Sequence, residues 1–493
     1  MLSHSSLPAP KKTFLLLSIL VFLFPAILPG KARPQQTGPY RAVPGLIDIR
    51  TSHSDGTHTM EEIVEIARLR GFRILFINDH DRIALSYGVP PFRRLVRYKK
   101  EFPSIMTHGP ETYLNEIKRL SKEYPDMIII PGCITSPYYY WTGSWFNGNL
   151  TVHDYDRRIL IINFTRPEDY SLTPNLGNNL SLRYTTKLLP GLVIFIIPFI
   201  IGIILLRWRG FSRLMGLFLV AFSALAMIDY NPFRSSPFSP YSKEQGIAPY
   251  QEVIDYVNER GAFSFWNYPE QRSGVRTHGP IRVDTPPYPE VLRLSKNCTG
   301  FSAIYGDNIT VTNPGREWDR VLNEYCRGQR ERPPWGISTA DFHEDGRLGL
   351  KLGAFPTTFL IKDFSKKGVL EALEKGRMYC SRGDARVWPK LNDFRVSGDG
   401  AKVAFLGETL TSTQFPIIRF RVSFDPEKPT PMTILLIRGG TLIKTFRGVT
   451  PIDVEYVDRE APPGETTYYR IMDTRKHLTS NPIFVTYRPS YPK

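Results

Sequence analysis

Two uncharged apolar runs in the middle of the chain limit its fold more than any other feature. Residues 188–206 read LLPGLVIFIIPFIIGIILL and residues 214–228 read LMGLFLVAFSALAMI. The first is close to the ~20 residues needed to cross a hydrocarbon core. The second is shorter, and a run of that length also suits a buried core helix. The loop between them favours a transmembrane hairpin over 188–230. Arg207-Trp208-Arg209-Gly210-Phe211-Ser212-Arg213 carries three arginines in seven residues, as a short cytoplasmic turn does. A further apolar run, 13–29, follows Lys11-Lys12 and is either a signal peptide or an uncleaved membrane anchor within 1–32. Gly30-Lys31-Ala32 is a poor small-x-small cleavage site, which favours the anchor. Both charge asymmetries place 30–187 and 231–493 on the extracytoplasmic side, periplasmic or extracellular.

These outer parts can bury a large core. Of 493 residues, 42% are hydrophobic and 22% charged, which excludes a disordered or fibrous chain. Forty-two prolines forecast many loops, because proline lacks a backbone donor and stops helices. Lys+Arg exceed Asp+Glu by 63 − 47 = 16. Such a charge attracts phosphate-bearing partners, from lipid headgroups to nucleotides, although a basic solvated face gives the same sum. No dense Lys/Arg run marks a specific nucleic-acid motif. The four cysteines, Cys133, Cys298, Cys326 and Cys380, show neither CxxC nor zinc-finger spacing. In an oxidising compartment three pairings are open to them.

The chemistry-bearing residues begin after the Pro/Gly-rich connector at 34–45. Residues 46–49 read as a short strand, and Thr59-Met60-Glu61-Glu62 as a capping box. Ile63, Ile66 and Leu69 continue one helical face, Gly71 closes the helix, and 73–77 form the next strand. Asp79 and His80 then stand just past a strand tip, where barrel enzymes keep their chemistry. Residues 251–260 and 262–266 repeat the helix-then-strand rhythm.

Taken in order, Ser54-Asp55-Gly56, Gly71, Ile77-Asn78-Asp79-His80-Asp81, Ile130-Pro131-Gly132 and Asn267-Tyr268-Pro269-Glu270 form a series. Ser338-Thr339-Ala340-Asp341-Phe342-His343 and the stretch 370–379 complete it. The series resembles the polymerase and histidinol phosphatase (PHP) family of metal-dependent phosphoesterases. The resemblance covers about 46–187 and 245–385. It implies an α/β fold, a distorted (β/α) barrel interrupted by the hairpin, with segments 45–187 and 245–385. It also implies a multi-metal centre at the strand ends, since cleaving a phosphate ester at neutral pH calls for ions that activate water and neutralise charge.

The departures from that pattern are more informative than the matches. Where the family carries His-x-His, this chain has Asp48-Ile49-Arg50. The bridging glutamate after Pro-Gly is Cys133, and the histidine of His-Pro-Glu is Asn267. A histidine expected near 158–163 has no counterpart, with His153 out of register. An arginine beside a metal cluster is electrostatically unfavourable, so Arg50 reads as a replacement for a cation or as a clamp for an anion. What survives aligns with a single metal position: Asp55, His80 and His343, with Asp341 beside them. Asp341 and His343, two apart on an expected strand, would face the same way. One zinc, manganese or iron ion would suit these donors; a hydrogen-bonded polar cluster without metal is the alternative. His53 and His58 are expected on the loop surface rather than in the site.

The aromatic stretch 137–146 (PYYYWTGSWF) either lines a ligand cleft or forms a membrane-proximal belt. Past Arg382, strand-like runs at 417–423, 433–437, 468–471 and 482–486 without helices forecast a β-sandwich over 388–493. It resembles the immunoglobulin-like tail of secreted PHP-like proteins. Three functions follow. The chain binds an anionic, phosphate-bearing ligand at the membrane with a degenerate metal centre. Alternatively, it is an active one-metal phosphoesterase in which Asp341 is ligand or general base and Arg50 clamps the phosphate. A third reading gives it a structural role with an envelope partner through the sandwich. No Gly-x-Ser-x-Gly elbow supports nucleophilic catalysis.

Overall fold

Continuously apolar short segments form parallel strands buried on both faces, and here they set the frame. In the computed structural model, which describes residues 36–178, 182–233, 235–242, 244–307, 309–347, 350–400, 402–424 and 428–489, β1 (Tyr40–Ile49) leads through α1 (Met60–Leu69) to β2 (Ile74–Ile77). A hairpin of β3 (Ile83–Gly88) and β4 (Arg97–Phe102) follows, then α2 (Pro110–Glu123), β5 (Ile128–Thr135) and β6 (Arg158–Ile162). The expected anchor within 1–32 lies outside the described residues. After α3 (Val193–Leu205) and α4 (Phe211–Tyr230) come α5 (Ala248–Glu259), β7 (Phe263–Asn267), β8 (Gly300–Ile304) and α6 (Glu317–Cys326). β9 (Trp335–Ser338), β10 (Pro356–Ile361), α7 (Lys366–Glu374) and β11 (Met378–Ser381) complete this part.

The result is a mixed α/β structure around one large sheet, in the order β9-β8-β7-β6-β5-β2-β1-β10-β11. β1, β2 and β5 are mutually parallel, as are β7, β8 and β9, and β6 runs antiparallel between the two sets. The segment after β9 returns to β1. Ala340 N donates to Ile47 O and Phe342 N to Asp48 O, both at 3.2 Å, and Arg50 N to Phe342 O at 3.0 Å. The C-terminal ends of β1 and β9 therefore meet, and the site forms there.

Local sequence explains the helices. Thr59 Oγ1 accepts from Glu62 N, and Glu62 Oε2 accepts from Thr59 N at 2.8 Å, so the forecast capping box starts α1. Gly71, with φ +86°, turns the chain out of it. In α2, Pro110 opens the first turn and Tyr113, Ile117 and Leu120 bury one stripe.

The two mid-chain runs are helices. Residues 182–205 form one continuous helical stretch of 24 residues and α4 has 20; both are long and apolar enough to cross a membrane. The second run is not a core helix. Only Gly216, Ser223 and Ala226 of α4 are buried, while Leu214, Leu217, Phe218 and Ile228 are exposed. The pair touches through small residues: a Cβ on Gly216 would lie 2.7 Å from Gly202 O. Where the hairpin rejoins the body, Tyr230 OH donates to Leu188 O at 2.8 Å.

Beyond residue 388 the chain is all strand: β12 (Pro389–Ser397), β13 (Ile417–Phe424), β14 (Pro431–Arg438), β15 (Thr441–Val449), β16 (Ile452–Val457), β17 (Thr466–Asp473), β18 (Leu478–Ser480) and β19 (Ile483–Tyr487). β12, β13 and β16, with the short strand Val403–Ala404, make a sheet of their own, whereas β18, β17, β14 and β15 extend the large sheet past β11. Phe394, Ile418, Phe420, Ile434, Leu436 and Ile471 share a core between them. Arg470, fully buried, pairs with Asp319 of α6 at 2.6 Å and ties this region to the rest.

Candidate functional site

β1 ends on an irregular step. Its register with β2 shifts between Leu46 and Ile49, and Asp48 takes φ +71°, a left-handed conformation uncommon outside glycine. Asn78 holds this step by accepting from Asp48 N at 3.0 Å. Two residues on, Arg50 is wholly buried, and its Nη1 lies 2.6 Å from Asp48 Oδ1. Its Nη2 donates to Asp341 Oδ1 at 2.9 Å, and its Nε lies 3.8 Å from Asp55 Oδ1. Burial opposes the guanidinium charge, but Asp48, Asp341 and Asp55 outweigh it and hold the Arg50 pKa above its usual value. Asp48 Oδ2 also accepts from Asn267 Nδ2 at 3.4 Å, and Asn267 Oδ1 accepts from Ser302 Oγ at 2.7 Å.

Asp55 is delivered by a loop that Asp79 pins. The Asp79 carboxylate accepts from Thr51 N at 2.7 Å, Thr51 Oγ1 at 2.8 Å and Ser54 Oγ at 2.6 Å. Gly56 lets that loop double back, because a Cβ there would sit 2.6 Å from Arg50 O. Asp55 Oδ2 then meets His343 Nε2 at 3.1 Å and His80 Nε2 at 3.6 Å. Burial works against the Asp55 carboxylate, yet hydrogen bonds from His343 and His80 and the Arg50 charge hold its pKa well below the usual range. Burial instead pushes His80 down to about 4, so it is neutral at pH 7. His343 goes the other way: burial lowers its pKa, but its hydrogen bond to Asp55 and the charge of Asp341 raise it overall.

Asp55, His80, Asp341 and His343 are thus neighbours. Asp341 and His343 are not on a strand, however. β9 ends at Ser338, and Asp341, at φ +46°, begins the loop that crosses to β1. A metal does not fit this arrangement. His343 Nδ1 faces Asp341 O at 2.7 Å while its Nε2 faces the Asp55 carboxylate. Both partners only accept, so both ring nitrogens are placed to donate, and an ion would have to displace a proton from one of them and break its hydrogen bond. The carboxylates that would neutralise a dication are committed to Arg50, whose own charge would share the same low-dielectric space. Among the described residues, no group of three or more His, Cys, Asp or Glu side chains is arranged to hold a metal.

Other expected positions fall as follows. Cys133 is packed in the hydrophobic core, and all four cysteines are free thiols. Gly132 before it has no room for a Cβ, which would lie 2.2 Å from Ile161 O and 2.4 Å from Asn78 Nδ2. His153 pairs with Asp284 and stacks on Tyr140, away from the site. His53 is largely buried against Glu116 rather than on the surface, and His58 pairs with Glu62. In the aromatic stretch, Tyr138, Tyr139 and Trp141 are buried while Phe146 is exposed.

The cluster lies between two cavities. One, of about 360 Å3, has Asp341, His343, Tyr268 and Tyr305 in its wall. The other, of about 190 Å3, has Asp55 and His80 at one side and Arg82, Arg158 and Arg276 around it. Arg158 Nη2 pairs with Asp156 Oδ1 at 2.8 Å and Arg276 Nη1 with Asp156 Oδ2, while the buried Arg158 Nε has no hydrogen-bond partner. Sequence reasoning gave no role to Asp48, Arg82, Arg158 or Arg276. Only Asp48 carried a signal, standing with Arg50 in the Asp48-Ile49-Arg50 element singled out as a departure.

No family model of known proteins matches this chain, and no curated protein does. Solved structures similar to it include two phosphoesterase-like proteins. The first is a two-domain protein containing a predicted PHP-like metal-dependent phosphoesterase from Bacteroides vulgatus; it is 12% identical, with 89% of this chain and 94% of that one covered at a TM-score of 0.34. The second, from Bifidobacterium adolescentis, is described as a metal-dependent phosphoesterase; it is 15% identical, with 63% and 89% covered at a TM-score of 0.26. Likenesses at these values give the chain neither a family nor an activity.

Proposed function

We propose that the chain is a membrane-anchored, extracytoplasmic PHP-like protein that binds an anionic, phosphate-bearing ligand and does not hydrolyse it. On this reading 45–187 and 245–385 make one distorted (β/α) barrel, 188–230 the transmembrane hairpin, and 388–493 a β-sandwich that packs on the barrel. The observation that carries it is Arg50, fully buried with Asp48, Asp341 and Asp55 around it. A fixed guanidinium there does the electrostatic work of an ion but cannot activate water, because its pKa lies too high to supply or take a proton. Arg50 is fully buried among three carboxylates, so the anion-binding task passes to the arginines that line the smaller cavity, of which Arg158 and Arg276 share the single carboxylate of Asp156. Arg158 and Arg276 offer planar donors suited to phosphate oxygens.

Titration of the detergent-solubilised full chain with inorganic phosphate and with glycerol 3-phosphate tests this reading. The expected result is saturable binding that weakens at least about tenfold in Arg158→Gln, the scale of one lost charged hydrogen bond. One observation favours the active alternative: two imidazoles meet one carboxylate at Asp55. Turnover of a phosphodiester that is abolished in His343→Ala would establish that alternative and overturn the binding reading.

A further inference from the structure

The arginine-lined cavity does not stand alone. A larger one, of about 610 Å3, shares Arg82, Ala84, Tyr139, Asn175 and Gly177 with it as common wall. Its volume lies in the range of sites that hold a whole small molecule, ~300–1,000 Å3. Its far wall is made by the ends of the apolar hairpin, Leu188, Ile228 and Tyr230, and its flank by Arg93, Arg94 and Arg97 of the β3–β4 turn and strand. The two cavities thus lie side by side, one at the place where two membrane-length helices emerge and the other where Asp55 and His80 sit, with Arg82 in their common wall.

The β3–β4 hairpin is built to lie at that level. Asp229, at the end of α4, accepts from Arg94 N at 2.7 Å and Leu95 N at 2.9 Å, and Phe92 packs on Phe222 of α4 with ring centroids 5.3 Å apart. The hairpin is therefore held against the emerging helix. Leu95, Val96, Tyr98 and Phe102 are exposed on it, interleaved with Arg97, Lys99 and Lys100. Apolar and aromatic side chains alternating with cations suit the headgroup zone, where one end of the side chain is dry and the other meets phosphate. Arg97 forms no ion pair with an acidic side chain among the described residues, unlike Arg82, which pairs with Glu101. Gly177 leaves Arg82 room to lie between the two cavities, since a Cβ there would sit 2.3 Å from Arg82 Cδ.

We propose that the phosphate-bearing ligand is an anionic membrane lipid. Its head enters from the bilayer beside α4, passes the Arg93–Arg97 flank and rests its phosphate at Arg82, Arg158 and Arg276, while its tails stay with the hairpin helices. This inference rests on the phosphate-binding reading above and names its ligand class. A soluble phosphate compound has the same charged group but gains nothing from the apolar wall at Leu188 and Ile228.

The test compares dihexanoyl phosphatidic acid, dihexanoyl phosphatidylcholine, glycerol 3-phosphate and inorganic phosphate as ligands of the full chain in detergent, by calorimetry. Phosphatidic acid is expected to bind at least about tenfold tighter than glycerol 3-phosphate, because each buried methylene adds affinity. Arg97→Gln is expected to slow association of phosphatidic acid about fivefold in stopped-flow tryptophan fluorescence, the scale of one cation at an anionic lipid surface, and to leave association of glycerol 3-phosphate unchanged. Equal affinity for phosphatidic acid and glycerol 3-phosphate would overturn the lipid assignment while leaving the phosphate site standing. Lipid association indifferent to Arg97→Gln would overturn the route, and preference for phosphatidylcholine would overturn the anionic class. Failure of all four ligands to bind would remove the underlying phosphate reading itself.

Discussion

Arg50 is the residue on which the site turns, and its environment makes its removal costly. A Met at that position fills the volume but strands Asp48 as a buried, uncompensated carboxylate and leaves the exposed Asp341 without its partner. Arg50→Met should cost about 3–5 kcal/mol, read by chemical unfolding of the detergent-solubilised protein. Asp48→Asn in the same chain should recover part of that loss, because one stranded charge disappears. His80 gives a second prediction at this scale. Its pKa falls from 6.5 to about 4 on folding. Between those values the unfolded chain binds more protons than the folded one, so this group makes stability fall as pH drops from about 6.5 to 4. His80→Asn should flatten that part of the stability profile. An unchanged slope would mean that the imidazole is not held neutral. Some of this chemistry was legible in the sequence: Asp55, His80, Asp341 and His343 were expected together and lie together. Their protonation was not legible, since it depends on which acceptor each His343 nitrogen faces.

Elements with local signals were read most accurately. α1 has its capping box and Gly71, and both appear where Thr59, Glu62 and the glycine placed them. The run 214–228 grew to a 20-residue helix, and its exposed leucines and phenylalanines settle its character against a core helix. The β3–β4 hairpin escaped notice because Arg97–Phe102 is exposed along its whole length and so shows no apolar alternation. Asp341 and His343 were misplaced on a strand for a related reason. The turn after Ser338 is imposed by pairing with β1, nearly 300 residues away in the chain, and no local residue announces it. At this scale the helix pair has a weak point of its own. Gly216→Leu would drive a side chain into Gly202 O and should split α3 from α4, read as new protease cleavage near residue 210 in intact membranes with the body still folded.

For the whole molecule, the C-terminal strands are part of the body. β18 pairs with β11, and Arg470 donates to Asp319 through both Nε and Nη2, at 2.7 and 2.6 Å. Tyr468 and Phe484 belong to the central hydrophobic core. A chain cut after Arg382 should therefore fail to fold, and Arg470→Met should destabilise the entire protein by about 3–5 kcal/mol in one transition rather than releasing the tail alone. Two separate unfolding steps would contradict that continuity. The forecast of strands beyond residue 388 was correct in kind, but their continuation of the large sheet was invisible, because strand pairing across so many residues leaves no trace in local pattern.

The most direct measurement is the metal content of the full chain, purified without chelator or added metal and assayed by elemental analysis. The proposed replacement of an ion by Arg50 predicts zinc, manganese and iron all far below one equivalent, with no change on adding any of them. About one tightly held equivalent, lost in His343→Ala, would show that the imidazole keeps a lone pair for an ion and that the guanidinium has not taken its place.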